Sequence, residues 1–431
     1  NQVDSELMLG MLTRAGFGVA ERARDAEYLI VNTCAFIDRA REESVQAILE
    51  LAQLKGEGQG RSLIVTGCLP QRYGRELLEK IPEVDGILGT SELERIVELV
   101  RLEAGRRDWA THAPPGYLYD AGTPRLLTRS VPYAYVKIAE GCDMGCTFCA
   151  IPRFRGRHRS RPLADIVSEV EELGRRGIHE AVLVSQDTLA YGRDLRGNGD
   201  FGDLLLALSD SAIAWIRPMY LHPAHVNDRL LAKWEKARVV PYLDMPIQHA
   251  DDGLLRAMRR GVTGGRMREI FQSFRQAVSG VALRTTVLVG FPGEHEEAFE
   301  NLLEFIEEVR FDRLGVFTYS AEDGTPAAVM AGGVPPEVSA ERAQLVQECQ
   351  DRIAWERQQA LLGTVQTVLV DGPSEDPAFP WEGRTTGQAP EIDGVVYLRG
   401  GDAVPGEFSR VRIVEVEGYE LIGEPVPPVG G

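Results

Sequence analysis

Long apolar runs are missing from this 431-residue chain: none approaches the roughly eighteen residues that a bilayer-crossing helix requires. Cysteine is scarce, with six in the whole chain, so a secreted disulfide scaffold is excluded. Basic side chains are in deficit, 47 Lys and Arg against 65 Asp and Glu, for a net charge of −18. That balance disfavours a large phosphate-binding surface over the whole molecule, leaves room for a local basic patch, and suits a basic partner. No secretory signal pattern is visible, and cytoplasm is the expected location. There is no internal repeat and no long low-complexity tract. What remains, 44% hydrophobic and 26% charged residues, is the composition of an ordinary globular protein. Its length corresponds to about two to four domains.

Residues 1–105 alternate helix and strand patterns. The opening NQVDSELMLGMLTRAGF is helical with no strand before it, and a chain that starts on Asn1 in this way is expected to be cut at its N-terminus. AEYLIVNTCAF (26–36) and SLIVTGC (62–68) are short apolar runs rich in β-branched residues, hence buried strands. REESVQAILELAQLK and GRELLEKI are helical, GILGT is a brief third strand, and SELERIVELVRLEAG starts like a capped helix. This order predicts a parallel, doubly wound sheet. Cys34 and Cys68 both fall at the carboxyl ends of their strands, the edge where such sheets bind ligands. Residues 106–131, with PPG and GTP, are expected to be a linker. Residues 132–360 alternate again, with strands at 134–139, 180–186, 216–222, 242–248, 284–291 and 313–320. Six such units predict a barrel or partial barrel, with its functional groups at the C-terminal strand ends. Residues 361–431 form short strands separated by Gly, Pro and Asp, the pattern of a small β-barrel of oligonucleotide-binding type. That last segment carries twelve Asp and Glu against four Arg and no Lys, a balance of −8.

Three of the six cysteines, Cys142, Cys146 and Cys149, fall within GCDMGCTFCA, in the loop after the first barrel strand. Structural zinc takes four protein ligands, and none besides these three is obvious: His158 lies nine residues on, among arginines. A disulfide would leave one thiol over. A 4Fe-4S cluster on three thiolates, with its fourth iron open, explains the count better. Cys34 and Cys68 are either small buried hydrophobes or, because both sit at ligand-binding strand ends, converging ligands. RFRGRHRSRP (153–162) has five arginines and is either a solvated positive face or, directly after the cysteine loop, a contact surface for a carboxylate or a substrate. SQDTLAYG (185–192) and VGFPGE (289–294) end barrel strands, and turn chemistry alone would account for them. The sharper alternative makes Gln186, Asp187 and Gly290 cofactor contacts. His222, His225 and His249 read as structural, and Cys349, on the last long helix, as packing.

The spacing Cys-x3-Cys-x-aromatic-Cys, with Phe148 as the aromatic, resembles the radical S-adenosylmethionine (SAM) superfamily. That resemblance implies a partial (β/α)6 barrel in which the open iron chelates SAM and an electron from the cluster cleaves it to a 5′-deoxyadenosyl radical. It also implies that Phe148, Arg157, Gln186, Asp187 and Gly290 lie at the cofactor. VNTCAF and VTGCLPQ resemble the N-terminal domain of the methylthiotransferases, in which three cysteines bind a second 4Fe-4S cluster. Cys34 and Cys68 would be two of those ligands. The third precedes a segment like NQVDSE in that family, so it is expected to be missing here. The terminal barrel resembles a TRAM domain.

Of two methylthiotransferase branches, one modifies an adenosine of tRNA and the other an aspartate of protein twelve of the small ribosomal subunit. SQDTLAYG, YLDMPIQHADDGLLRAM, DRLGVFTYSAEDGTPA and GRTTGQAPEIDG look like the second. Charge agrees: a barrel at −8 would repel tRNA phosphates and suit a basic ribosomal protein, so direct nucleic-acid binding is not expected. The resemblance implies two SAM molecules, one as methyl donor and one as radical source, and an external electron donor. The competing functions are the tRNA-modifying branch, a radical SAM enzyme without methylthiolation, and a non-catalytic, metal-stabilised ribosome-binding protein.

Overall fold

Alternating side chains along the first strands already divide the N-terminal sheet into two apolar faces. The structure, a computed structural model, describes residues 2–57, 60–102, 108–109, 114–197 and 199–426. Its chain forms two compact units, one of residues 1–129, 139–161 and 320–328, the other of residues 130–138, 162–319 and 329–431.

Helix α1 (Gln2–Arg14) opens the first unit, followed by β1 (Tyr28–Thr33), α2 (Asp38–Glu57), β2 (Ser62–Gly67), α3 (Cys68–Lys80), β3 (Gly86–Leu88), α4 (Ile96–Val100) and β4 (Asp108–Trp109). The four strands are parallel and adjacent in chain order. Leu29, Leu63, Val65 and Ile87 point to one face, where α2 and α3 cover them with Ile48, Leu77 and Leu78. Ile64 and Leu88 point to the other, against Met8 and Leu12 of α1 and Ile96 and Val100 of α4. Helices on both faces make the sheet doubly wound. Strand β4 falls inside the stretch expected to be a linker, whose residues 106–107 and 110–113 lie outside those described. Part of that stretch is tied back to α1. Arg125 donates to Glu6 Oε2 from Nε at 2.8 Å and from Nη2 at 2.6 Å, and Leu126 N–H bonds the Glu6 carbonyl at 3.0 Å.

The chain then supplies β5 (Tyr133–Lys137) to the second unit. It returns to the first with β6 (Ala139–Glu140), α5 (Ile151–Phe154) and β7 (Arg159–Ser160), and β6 pairs antiparallel with β7.

In the second unit β5 is followed by α6 (Leu163–Arg175), β8 (Glu180–Val184), α7 (Phe201–Ser209), β9 (Trp215–Pro218), α8 (Asp228–Trp234), β10 (Tyr242–Asp244), α9 (Asp252–Ala257), α10 (Gly264–Ala277), β11 (Ala282–Val289), α11 (Glu296–Val309), β12 (Arg313–Thr318) and α12 (Pro336–Gln359). Six parallel strands form two ladders, β5-β8-β9 and β10-β11-β12. Val240 N–H to Ile216 O and Leu221 N–H to Asp244 O, both 3.0 Å, join the two ladders. No ladder joins β12 back to β5 among the described residues, so the barrel is partial. The strand expected at 216–222 ends at Pro218, where the missing N–H and the left-handed Tyr220 (φ 59°) stop the ladder.

Five further strands, β13 (Val365–Pro373), β14 (Trp381–Arg384), β15 (Val396–Leu398), β16 (Phe408–Glu417) and β17 (Glu420–Pro425), close a small barrel in the order β13-β14-β15-β17-β16. Val368, Val370, Leu398, Val411, Ile413 and Leu421 fill it. A separate core in which Leu369 and Ala389 meet Val182, Trp215 and Tyr242 packs it against the larger barrel.

Candidate functional site

The cysteine loop is an excursion within the β6–β7 hairpin. Cys142 N–H donates to the Gly156 carbonyl at 3.1 Å, and His158 N–H donates to Asp143 Oδ1 at 3.2 Å, closing its base. Gly141 sits at φ +84°, and a Cβ there would overlap the Arg157 carbonyl oxygen, so only glycine lets the two arms approach. A turn from Cys149 N–H to Cys146 O (3.1 Å) shapes the far end, and Ala327 N–H holds Thr147 O at 2.9 Å. Cys146 is buried; Cys142, Phe148 and Cys149 are half-buried. None of the six cysteines is in a disulfide.

Cys34 follows β1 and Cys68 begins α3 directly after β2, and the register pairs Thr33 with Gly67. The two thiols are therefore neighbours at the carboxyl edge of the sheet. Ser44 Oγ accepts the Cys34 N–H at 3.1 Å and donates to the Cys34 carbonyl at 2.9 Å. Burial pushes the Cys68 thiol up, and the Arg155 guanidinium opposes that.

Arg155 connects this edge to the cysteine loop. It is buried, and its Nη2 lies 3.2 Å from Cys68 Sγ. Nη1 reaches Glu140 Oε1 of β6 at 3.1 Å and Asp4 Oδ2 of α1 at 3.3 Å. Burial disfavours its charge, but Glu140, Cys68 and Asp4 more than offset that and keep it protonated. Arg161 is equally buried, stacked 4.0 Å from the Tyr119 ring centroid. Arg157, by contrast, has a side chain 91% exposed, 3.6 Å from Asp143 Oδ1. The arginine run is thus neither a uniform solvated face nor a single contact surface. A second ion cluster ties residues 320–328 to α2 and α3: the buried Glu322 carboxylate takes Arg72 Nη1 at 2.8 Å and pairs with Arg41.

Among the described residues no three His, Cys, Asp or Glu side chains converge closely enough to hold one metal ion. A cluster makes a different demand, because each thiolate binds its own iron and the sulfurs need not meet at a point. Three thiols on one short loop, with Met144 N–H 3.5 Å from Cys142 Sγ, fit that demand. Cys34 and Cys68 supply two sulfurs at the sheet edge and have no third partner of that kind among the described residues.

In the second unit, Ser185, Gln186 and Asp187 follow β8. Asp187 is buried; its Oδ2 meets His225 Nε2 at 2.9 Å, and its Oδ1 has no partner. His225 Nε2 also lies 3.3 Å from Arg193 Nη1, and its ring centroid is 5.4 Å from that of His222. Burial lowers His222 to about 2 and His249 to about 4, so both are neutral near pH 7. Each accepts a backbone N–H at Nδ1 and has an unpartnered Nε2. Gly290 follows β11 at φ +80°, where a side chain would strike Ser339 Oγ, and its N–H donates to Glu294 Oε2 at 2.5 Å. Tyr220 and Gln248 (φ 71°), near the ends of β9 and β10, hold left-handed conformations that cost non-glycine residues energy and cluster at functional rims. Sequence patterns gave no sign of the Asp187–His225 contact. Arg155 could have been singled out only as one of five similar arginines.

Three family models match: "Uncharacterized protein family UPF0004" over residues 1–89, "Radical SAM superfamily" over 136–306 and "TRAM domain" over 362–426. The ribosomal protein uS12 methylthiotransferase RimO of Anaeromyxobacter sp. (strain K) is 46% identical over 428 residues, covering 99% of this chain and 91% of the relative. That of Myxococcus xanthus (strain DK1622) is 44% identical, covering 99% and 89%. The chain belongs to the ribosomal protein uS12 methylthiotransferase family. The tRNA-modifying branch is correspondingly not favoured. Among solved structures, the radical S-adenosylmethionine methyltransferase TsrM from Kitasatospora setae aligns with TM-score 0.56 at 16% identity, over 76% of this chain and 72% of that one, a likeness of fold. For a uS12 methylthiotransferase, an iron–sulfur cluster and SAM are the cofactors of the radical SAM portion. No described helix is long and apolar enough to cross a membrane.

Proposed function

We propose that this chain adds a methylthio group to the β-carbon of an aspartate in ribosomal protein uS12. The observation that carries this is identity of 42–46% to uS12 methylthiotransferases over 98–99% of the chain. An unactivated C–H bond resists acid–base catalysis; the cluster and SAM, when bound, supply the radical chemistry that such a bond requires. Cys142, Cys146 and Cys149 are the ligands of the SAM-cleaving cluster, and the hairpin base holds their loop. Cys34 and Cys68 are ligands of a second cluster, completed by a third ligand, and Arg155 holds the Cys68 edge. Gln186, Asp187 and Gly290, at the strand ends of the partial barrel, contact SAM, as do Phe148 and Arg157 from the cysteine loop. An external electron donor is required, and a ribosomal substrate places the reaction in the cytoplasm.

The test is anaerobic reconstitution with iron and sulfide, then incubation with SAM, a reductant and uS12. A methylthio mass shift on one uS12 aspartate, with tRNA nucleosides unchanged, is the expected result. SAM cleavage with modification of tRNA instead would overturn the substrate. Iron incorporation without any SAM cleavage would leave a non-catalytic ribosome-binding protein.

A further inference from the structure

A cavity of about 620 Å³ opens at the N-terminal ends of β11 and β12, between the end of α12 and the loop after β14. It lies at the opposite strand ends from Gln186, Gln248 and Gly290. In a chain of net charge −18 its wall carries four arginines, Arg275, Arg310, Arg313 and Arg357, against Asp312 and Glu356. Arg357 uses both Asp312 oxygens, at 2.7 and 3.2 Å, and Arg310 pairs with Glu356. The other two hydrogen-bond carbonyl oxygens, and Arg313 also lies 5.4 Å from the Tyr419 ring centroid. Arg275 Nη2 donates to Arg310 O at 2.9 Å; Arg313 donates to Asp393 O at 3.1 Å and to Asp312 O at 2.9 Å. Arg275 is held below its ordinary value, first by burial and then by the Arg357 charge. Asp312, already held by both bonds from Arg357, acts on Arg275 only at longer range, and the arginines of this wall outnumber its carboxylates by two.

Two buried amides complete the lining. Gln358 Nε2 donates to Gly418 O at 2.8 Å, and its Oε1 has no partner. Gln388 Oε1 accepts from Thr385 N and Oγ1 at 3.0 and 3.1 Å, and its Nε2 has no partner. One unmet acceptor and one unmet donor, beside the apolar Leu361 and Leu421, suit a flat heterocycle that both gives and takes a hydrogen bond. A volume of this size lies within the range of about 300–1,000 Å³ typical of small-molecule sites and exceeds what a bare phosphate fills.

We propose that this cavity binds a mononucleotide, with its phosphate monoester between Arg275 and Arg313 and its base against Gln358 and Gln388. A phosphate monoester carries about −1.5 to −2 near neutral pH, matching that excess of two arginines. A free nucleotide and the 5′-phosphorylated end of an RNA share this chemistry.

Isothermal titration of the full protein with AMP tests it, with S-adenosylhomocysteine at saturation so that the adenosyl site of the reaction stays silent. Saturable one-to-one binding is expected, weakening with salt and falling by about tenfold or more in Arg275→Met, with partial recovery in Arg275→Lys. Arg275 makes a single hydrogen bond, so its variants should fold; circular dichroism checks this, and Gln388→Leu provides a second variant. Adenosine and inorganic phosphate should each bind more weakly than AMP. A 5′-phosphorylated hexaribonucleotide binding more tightly than AMP assigns the source to RNA; equal or weaker binding assigns it to the free nucleotide. The proposal is overturned if AMP, GMP, CMP and UMP all give no saturable heat, if binding is unchanged in Arg275→Met and Gln388→Leu, or if inorganic phosphate matches AMP.

Discussion

Replacing Glu180 by Gln should destabilise the second unit severely. Glu180 begins β8 and is fully buried. One carboxylate oxygen takes Arg217 Nε and the other takes Arg384 Nη1, both at 2.6 Å. Arg384 continues to both oxygens of Asp371, at 2.6 and 2.8 Å, and its guanidinium lies 4.9 Å from the Tyr133 ring centroid. The network is neutral as it stands, two carboxylates against two guanidiniums. The substituted amide would leave one buried positive charge uncompensated and turn its NH₂ toward an arginine donor. Breaking such a pair costs about 3–5 kcal/mol, which in a domain of this size lowers the unfolding midpoint by about 10 °C. Burial pushes the Glu180 carboxyl up, but Arg217 and Arg384 more than offset this and hold it below the usual glutamate range. A depressed carboxylate stabilises the fold above its unfolded value of about 4.3 and loses that contribution as pH falls through the folded value. Thermal unfolding followed by near-ultraviolet circular dichroism should therefore show the parent losing stability below about pH 4 and E180Q losing less over the same interval. In E180Q/R384M the two losses should be less than additive, because the second change removes the stranded charge. A single variant within about 1 kcal/mol of the parent, the scale of a surface ion pair, would refute the reasoning.

Cys142→Ala should abolish SAM cleavage and lower the iron content, whereas Cys349→Ser, on the outer helix, should change neither; colorimetric iron and cleavage assays separate them. Gly141→Ala should open the hairpin base and reduce iron incorporation several-fold while the far-ultraviolet circular dichroism stays close to the parent's. His222, lowered to about 2, contributes stability that is complete above about pH 6.5 and lost as pH falls below it, so His222→Asn should flatten the stability–pH curve there. A His222 imidazole titrating near pH 6.5 by nuclear magnetic resonance would contradict this.

The strands were legible as short apolar runs rich in β-branched residues, buried on both faces of a sheet. YLIVNT and SLIVTG could only be strands, and their endings at Cys34 and Cys68 put both thiols on one sheet edge. The six barrel strands were legible for the same reason, although 216–222 was overextended across Pro218 and Tyr220 and 242–248 past the end of β10 at Asp244. What could not be read depends on pairing over distance. Glu180 and Arg384 are 204 residues apart, and neither sits in a pattern that marks it as buried. Arg155 and Arg157 belong to one alternating arginine run, yet one is enclosed by Asp4, Glu140 and Cys68 and the other faces water. Charge runs report composition, and burial of one member is decided by tertiary contacts.

The first unit is assembled from three separated chain segments, the last of which ends at residue 328. Glu322, which pairs with Arg41 and Arg72, and Ala327, which holds Thr147, both arrive in that last segment. On a translating ribosome, more than three hundred residues are therefore made before the cysteine loop and the N-terminal sheet acquire their final supports. Contacts this remote in sequence close slowly. The thiols should accordingly remain open to oxidation or stray metals for most of synthesis, and cluster insertion belongs after it. Expression conditions that slow elongation without supplying iron should lower the fraction of chains that can ever be activated.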